Sequence, residues 1–165
     1  MEDPADEFAT LAEEVADRAQ AAGLTVASAE SLTSGGITNA LGAAPEASEW
    51  LRGGVVAYAE AVKREVLGVT ADDVTSAECA RQLATGVARL LGADAAVAVT
   101  GVGGPEPSDR EPAGSVYAAV TVDGDVRDAH FQFDGDPSEV VHRTIRAALE
   151  LLRDALPPVD SGDGG

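Results

Sequence analysis

Between Ala27 and Ile37 the chain reads Ala-Ser-Ala-Glu-Ser-Leu-Thr-Ser-Gly-Gly-Ile, a concentration of small hydroxyls and glycines directly after the apolar run Leu24-Thr25-Val26. At a strand-to-helix turn such residues can do two things. One hydroxyl can cap the helix while the glycines let the chain bend. A serine can also act as a nucleophile, with the free backbone N–H groups of the helix start holding an oxyanion. A single cap suffices, and Thr33 or Ser34 can fill that role. The surplus points to Ser31 as a nucleophile for acyl transfer, which needs a base. His130 sits in a strand pattern and His142 in the last helix pattern. Neither follows a candidate strand end, and there is no G-x-S-x-G. Lys63 is the better candidate. It is the one lysine beside ten arginines, and a desolvated lysine can become neutral whereas arginine cannot. The plain alternative is a solvated surface lysine. Tyr58, five residues earlier, is placed to orient Lys63 or to relay a proton.

A second candidate is the loop Thr100-Gly101-Val102-Gly103-Gly104-Pro105. Its glycines allow close backbone approach to an anion or a ribose. It is neither a Walker loop nor a full G-x-G-x-x-G, so an ordinary loop is an equal reading. No His or Cys pair has metal-ligand spacing, and no metal or cofactor is expected. Cys79 is the only cysteine and reads as a small buried residue on an amphipathic helix.

These groups need elements to hold them. Apolar spacing at Phe8, Leu11, Val15 and Ala19 predicts a helix over 6–22, stopped by Gly23. A strand is expected over 25–29, a helix over 34–43, a turn over 47–51, a strand over 53–58 and a helix over 59–67. Thr75-Ser76-Ala77-Glu78 is a capping-box pattern opening a helix to about residue 91. Ala95-Ala96-Val97-Ala98-Val99 reads as a buried strand. Strands over 115–122 and 126–133 flank the hairpin signal Asp123-Gly124, and a last helix runs from Asp136-Pro137 to about residue 156. Alternating strands and helices closed by a hairpin and a helix imply one α/β domain: three α/β/α layers with a mixed sheet over residues 1–156, followed by a disordered polar tail over 157–165. Ligands of open sheets bind at the carboxyl ends of strands, where Glu30-Ser31, Tyr58 to Lys63 and Thr100-Gly101 fall.

The composition narrows the partners. A net charge of −18 repels phosphate backbones, so nucleic acid is not expected. No apolar run is long enough for a membrane span. The acidic start Met-Glu-Asp-Pro-Ala-Asp-Glu is not a secretory signal, so the cytoplasm is the expected compartment. A homo-oligomer is expected, two-fold symmetry being the commonest arrangement for such proteins. High acidity with small aliphatics suits a protein kept soluble in concentrated salt, of haloarchaeal type.

Taken in order, these blocks resemble the CinA C-terminal domain family, whose enzymes are nicotinamide-nucleotide amidases. The family's Ala-Glu-Ser-Cys-Thr-Gly-Gly stands here as Ala29-Glu30-Ser31-Leu32-Thr33-Ser34-Gly35. Its Gly-Gly-Val-Val-Ala-Tyr with a lysine five residues on and Leu-Gly-Val stands as Gly53 to Tyr58, Lys63 and Leu67-Gly68-Val69. Its Thr/Ser-Gly-Ile-Ala-Gly-Pro is Thr100 to Pro105, and its Phe-x-Gly-Asp is Phe133 to Asp136. The resemblance covers nearly the whole chain and does not extend to the separate N-terminal domain of full-length CinA proteins. It implies a small-molecule nucleotide substrate, nicotinamide mononucleotide, hydrolysed to nicotinate mononucleotide and ammonia. Ser31 maps onto the nucleophile and Lys63 onto the base. Glu30, Thr33, Ser34, Gly35, Thr100, Gly101, Gly103 and Gly104 are the residues expected to bind substrate or hold the oxyanion.

Several positions depart from the pattern. Leu32 replaces cysteine, and Ser34 replaces the first glycine of a pair. Glu111 stands where a lysine precedes Pro112, and Pro137 and Val141 stand where arginines are usual, with Arg143 nearby. These departures keep two other readings open: a non-catalytic nucleotide-binding module, or one subunit of a split CinA protein. The acidity carries its own prediction. The melting temperature falls as potassium chloride is lowered; a protein equally stable in dilute buffer sinks the salt-adapted reading.

Overall fold

The computed structural model describes residues 4–108 and 111–160. Helix α1 (Pro4–Ala22) leads into β1 (Val26–Glu30), followed by α2 (Gly36–Gly42), α3 (Ala47–Trp50) and β2 (Leu51–Val56). Helices α4 (Glu60–Leu67) and α5 (Ala77–Leu91) precede β3 (Ala95–Gly101). The hairpin β4 (Ser115–Val122) and β5 (Asp125–Gln132) and helix α6 (Pro137–Ala155) complete the domain.

The sheet order is β2-β1-β3-β4-β5. Strand β1 runs parallel to both β2 and β3, whereas β4 and β5 are antiparallel additions. The mixed three-layer architecture expected from the sequence is therefore present. From β1 the chain steps outward to β2 and then crosses back over β1 to β3. The carboxyl ends of β1 and β3 thus form a topological switch point, where open sheets leave a crevice.

The two faces of the sheet are packed differently. One receives α1, α2, α3 and α6 through large side chains such as Leu11, Val15, Ile37, Leu41, Trp50 and Leu149, set against Val26, Val97, Val99 and Val120. The other receives α4 and α5 over a floor of alanines: Ala27, Ala29, Ala96, Ala98 and Ala119. Period-two alternation along β3 separates Ala95, Val97 and Val99 from Ala96 and Ala98. Cys79 is fully buried in the alanine-floored layer, as a small apolar residue would be.

Local chemistry moves several boundaries. The helix expected from Ser34 begins at Gly36, because Ser34 and Gly35 both have positive φ (49° and 100°) and close a turn instead. Neither Thr33 nor Ser34 caps it. The cap is Glu30, whose carboxylate accepts from the Ile37 and Thr38 amides at 2.8 and 2.9 Å and from the Thr33 and Thr38 hydroxyls at 2.7 Å each. Thr38 spends its proton on Glu30, so the 2.6 Å contact with Ser28 has Ser28 as donor. Gly54 on β2 permits this cluster: a Cβ there would stand 2.2 Å from the Thr38 hydroxyl. The expected turn over 47–51 contains the helical turn α3. Helix α5 is capped by Ser76, which accepts from the Cys79 amide, rather than by Thr75, whose own amide donates to Asp73. The Asp123-Gly124 hairpin holds, with positive φ at both residues. Of the polar tail, residues 157–160 are irregular, and the expectation for 161–165 lies outside the described residues.

Glu30 is 1% exposed, so removing it strands four donors in the interior. Glu30→Ala is expected to cost about 3 kcal/mol or more in chemical denaturation. Glu30→Gln is also destabilising, because its amide turns a donor toward donors. Wild-type stability in both variants would refute the capping role.

Candidate active site

A cavity of about 360 Å³ opens at the carboxyl ends of β1, β2 and β3. That volume suits a small ligand. Ser31 enters it from the residue after β1, Tyr58 and Lys63 from the β2–α4 junction and α4, and Thr100, Gly101, Gly103 and Gly104 from the end of β3 and its loop. These sequence candidates, from three distant stretches, share one wall.

The other four do not line it. Glu30 and Thr33 are buried in the cap of α2, and Ser34 and Gly35 form the turn above it. Their contribution is to place Ser31. The Ser34 amide is committed to the Ser31 carbonyl at 3.1 Å and the Gly36 amide to the Thr33 carbonyl at 3.0 Å. The amides of Leu32 and Thr33 are the turn donors nearest Ser31 in sequence, and among the described residues they have no protein acceptor. Ser31 itself is 6% exposed, and no described residue bonds its hydroxyl.

Lys63 is 3% exposed, an unusual position for an ammonium. Its Nζ donates to the Tyr58 carbonyl at 3.0 Å. Burial lowers its pKa from the ordinary 10.5, opposed more weakly by Cys79, only where that thiol is ionised, and by Glu60. The neighbouring Cys79 thiol is pushed up by burial to about 11. It therefore stays protonated at neutral pH and supplies no counter-charge. A neutral Lys63 bonded to the Tyr58 carbonyl keeps its lone pair for another partner. Tyr58 orients the lysine through its backbone; the residue is 70% exposed and also lines the cavity. Thr100 is buried with its hydroxyl donated to the Val74 carbonyl at 2.6 Å, so it ties β3 to the segment before α5 and presents no free hydroxyl proton.

Sequence reasoning missed Val74, Thr75 and Ser108, which also line the cavity. They lie in irregular segments without a pattern, and Thr75 was legible only as a cap. The histidines stand elsewhere. His142 is 3.6 Å from Glu7, and His130 bonds Ser115 at 2.9 Å while stacking on Tyr117. Ser115 is fully buried and also donates to Glu111, so this serine–histidine contact secures the β3–β4 loop rather than facing a ligand. Among the described residues no three His, Cys, Asp or Glu side chains gather as a metal site, and no helix is long and apolar enough to cross a membrane.

Fold and cavity together define a three-layer α/β domain with a serine and a buried lysine at its switch point. The family model of the CinA C-terminal domain matches residues 8–156, and the chain belongs to that family. A competence-damage inducible protein of Desulforamulus reducens is 41% identical over 140 residues, covering 82% of this chain and 34% of the relative. A CinA-like protein of Gemmatimonas aurantiaca is 39% identical over 139 residues, covering 81% and 32%. The chain thus spans about a third of the length of these relatives. The crystal structure of a competence damage-inducible protein from Klebsiella pneumoniae superposes with a TM-score of 0.87 at 34% identity, covering 90% of this chain and 96% of that one. One from Agrobacterium tumefaciens gives 0.83 at 34%, covering 88% and 93%.

Ser34 carries a specific cost. An L-residue in the left-handed region is strained by about 1–2 kcal/mol, and glycine relieves this while adding freedom to the unfolded chain. Ser34→Gly is expected to stabilise the protein by about 0.5–1 kcal/mol, read as a higher denaturation midpoint. A lower midpoint would contradict the strain.

Proposed function

We propose that the chain is a serine amidase that hydrolyses the carboxamide of nicotinamide mononucleotide, giving nicotinate mononucleotide and ammonia. The observation that carries this reading is the burial of the only lysine in the cavity that also holds Ser31. The substrate itself is what the family resemblance implies.

In this mechanism neutral Lys63 takes the Ser31 proton as Oγ attacks the carboxamide carbon. The C–O bond forms as the carbonyl π electrons move to oxygen, and the Leu32 and Thr33 amides are the donors nearest to that oxyanion. Collapse breaks the C–N bond, and the Lys63 ammonium returns its proton to the departing nitrogen as ammonia. Water then attacks the acyl-serine with Lys63 again accepting the proton, which releases the carboxylate and restores Ser31. No metal or cofactor is needed for these steps. No hydrogen bond joins Ser31 to Lys63, whose Nζ is on the Tyr58 carbonyl, and catalytic contacts of this kind tighten once substrate is bound.

The test is ammonia release from nicotinamide mononucleotide in concentrated potassium chloride. Wild type is expected to release ammonia. Ser31→Ala and Lys63→Met are each expected to lose about 10³-fold or more while still folding. The neutral lysine is the active form, so the rate rises with pH along a limb centred below 10.5. Full activity in Lys63→Met removes the dyad. Binding without turnover in wild type favours a non-catalytic module.

A further inference from the structure

Within the amidase reading, on which this inference rests, we infer that the cavity recognises the nicotinamide ring and ribose but not the phosphate, so that the unphosphorylated nucleoside is as good a substrate as the nucleotide or better.

Among the described residues that line the cavity, Lys63 is the only one with a charged side chain. The mechanism needs Lys63 neutral, and its burial already disfavours the ammonium. It therefore offers no standing positive charge to a phosphate. The remaining lining is suited to uncharged groups. The Thr75 hydroxyl matches ribose, Ser108 is engaged with the Glu111 backbone through its hydroxyl, and Gly103 has open space where a side chain would stand.

The wall formed by Pro137 and Val141 lies on the first turns of α6. A helix start is normally a good seat for phosphate because its N–H groups and dipole favour an anion. Here that seat is already filled. Pro137 has no N–H to give, and the Asp136 carboxylate accepts from the Glu139 amide and the Ser138 hydroxyl, both at 2.9 Å. Those bonds hold the Asp136 carboxyl below its ordinary range, so it is charged at neutral pH. Asp136 is the chain neighbour of the lining residue Pro137, so its negative charge opposes a phosphate at this helix start. A nicotinamide nucleoside has a cationic pyridinium and no phosphate. It meets no such opposition, and the net charge of −18 attracts it.

The experiment compares nicotinamide riboside with nicotinamide mononucleotide in one buffer of concentrated potassium chloride. The readouts are kcat/KM from ammonia release and, separately, Kd by calorimetry with Ser31→Ala. A phosphate gripped by a cation is worth roughly tenfold or more in either quantity. The expected result is a preference for the nucleotide below about tenfold, or a preference for the nucleoside. A preference for the nucleotide above that overturns the inference. Pro137→Arg, at an exposed lining position, is expected to move the ratio toward the nucleotide; an unchanged ratio would remove this wall from substrate recognition. If neither compound releases ammonia the amidase reading fails, and the two dissociation constants still decide whether the phosphate is recognised.

Discussion

Everything at the switch point depends on how the short helix α2 is held by its first turn. A seven-residue helix with glycine at its N-cap has little stability of its own. Glu30 supplies what the helix lacks, from the last position of β1. Strand end and helix start become one rigid unit, and Ser31 lies inside it as the residue immediately after the carboxylate. Burying an acid is costly unless its oxygens are filled, and here they are filled by donors that would otherwise be stranded. The requirement runs outward to the neighbouring strand, where only glycine at position 54 leaves room for the Ser28–Thr38 pair.

Lys63 is held by the opposite logic. Lys63 is placed where nothing compensates its charge well, and a single carbonyl fixes its amine. Behind the serine stands a satisfied polar cluster that sets its position, whereas the cavity itself holds a poorly solvated amine that burial makes easier to neutralise. Functional groups that are costly to the fold mark sites where stability has been given up for chemistry.

How much of this was legible beforehand follows from the range of each interaction. Strand and helix patterns, the hairpin at Asp123-Gly124 and the grouping of candidates at three strand ends are written in local spacing, and they stand close to where the sequence put them. Ser31 and Lys63, which line one cavity, stood out as candidates because each is exceptional, one for its surplus of hydroxyl neighbours and the other for being the only lysine. The role of Glu30 was not. An acid beside a serine looks like part of a ligand site, and only the fold shows that its oxygens point at the amides of residues 37 and 38. Likewise Val74, Thr75 and Ser108 reach the cavity through loop geometry, which leaves no periodic trace.

The alanine floor beneath α4 and α5 has a consequence for how the molecule loosens. Methyl groups bury little area, so detaching that layer from the sheet exposes less apolar surface than detaching α1 and α6, which are seated on leucines, valines and Trp50. On buried side-chain area alone, opening is less costly on the side that carries Lys63. Such an opening would bring the amine to water, where it would take up a proton, while the Glu30 cap beside Ser31 is left intact. Under the proposed mechanism, such an opening removes the base while the rest of the architecture still stands.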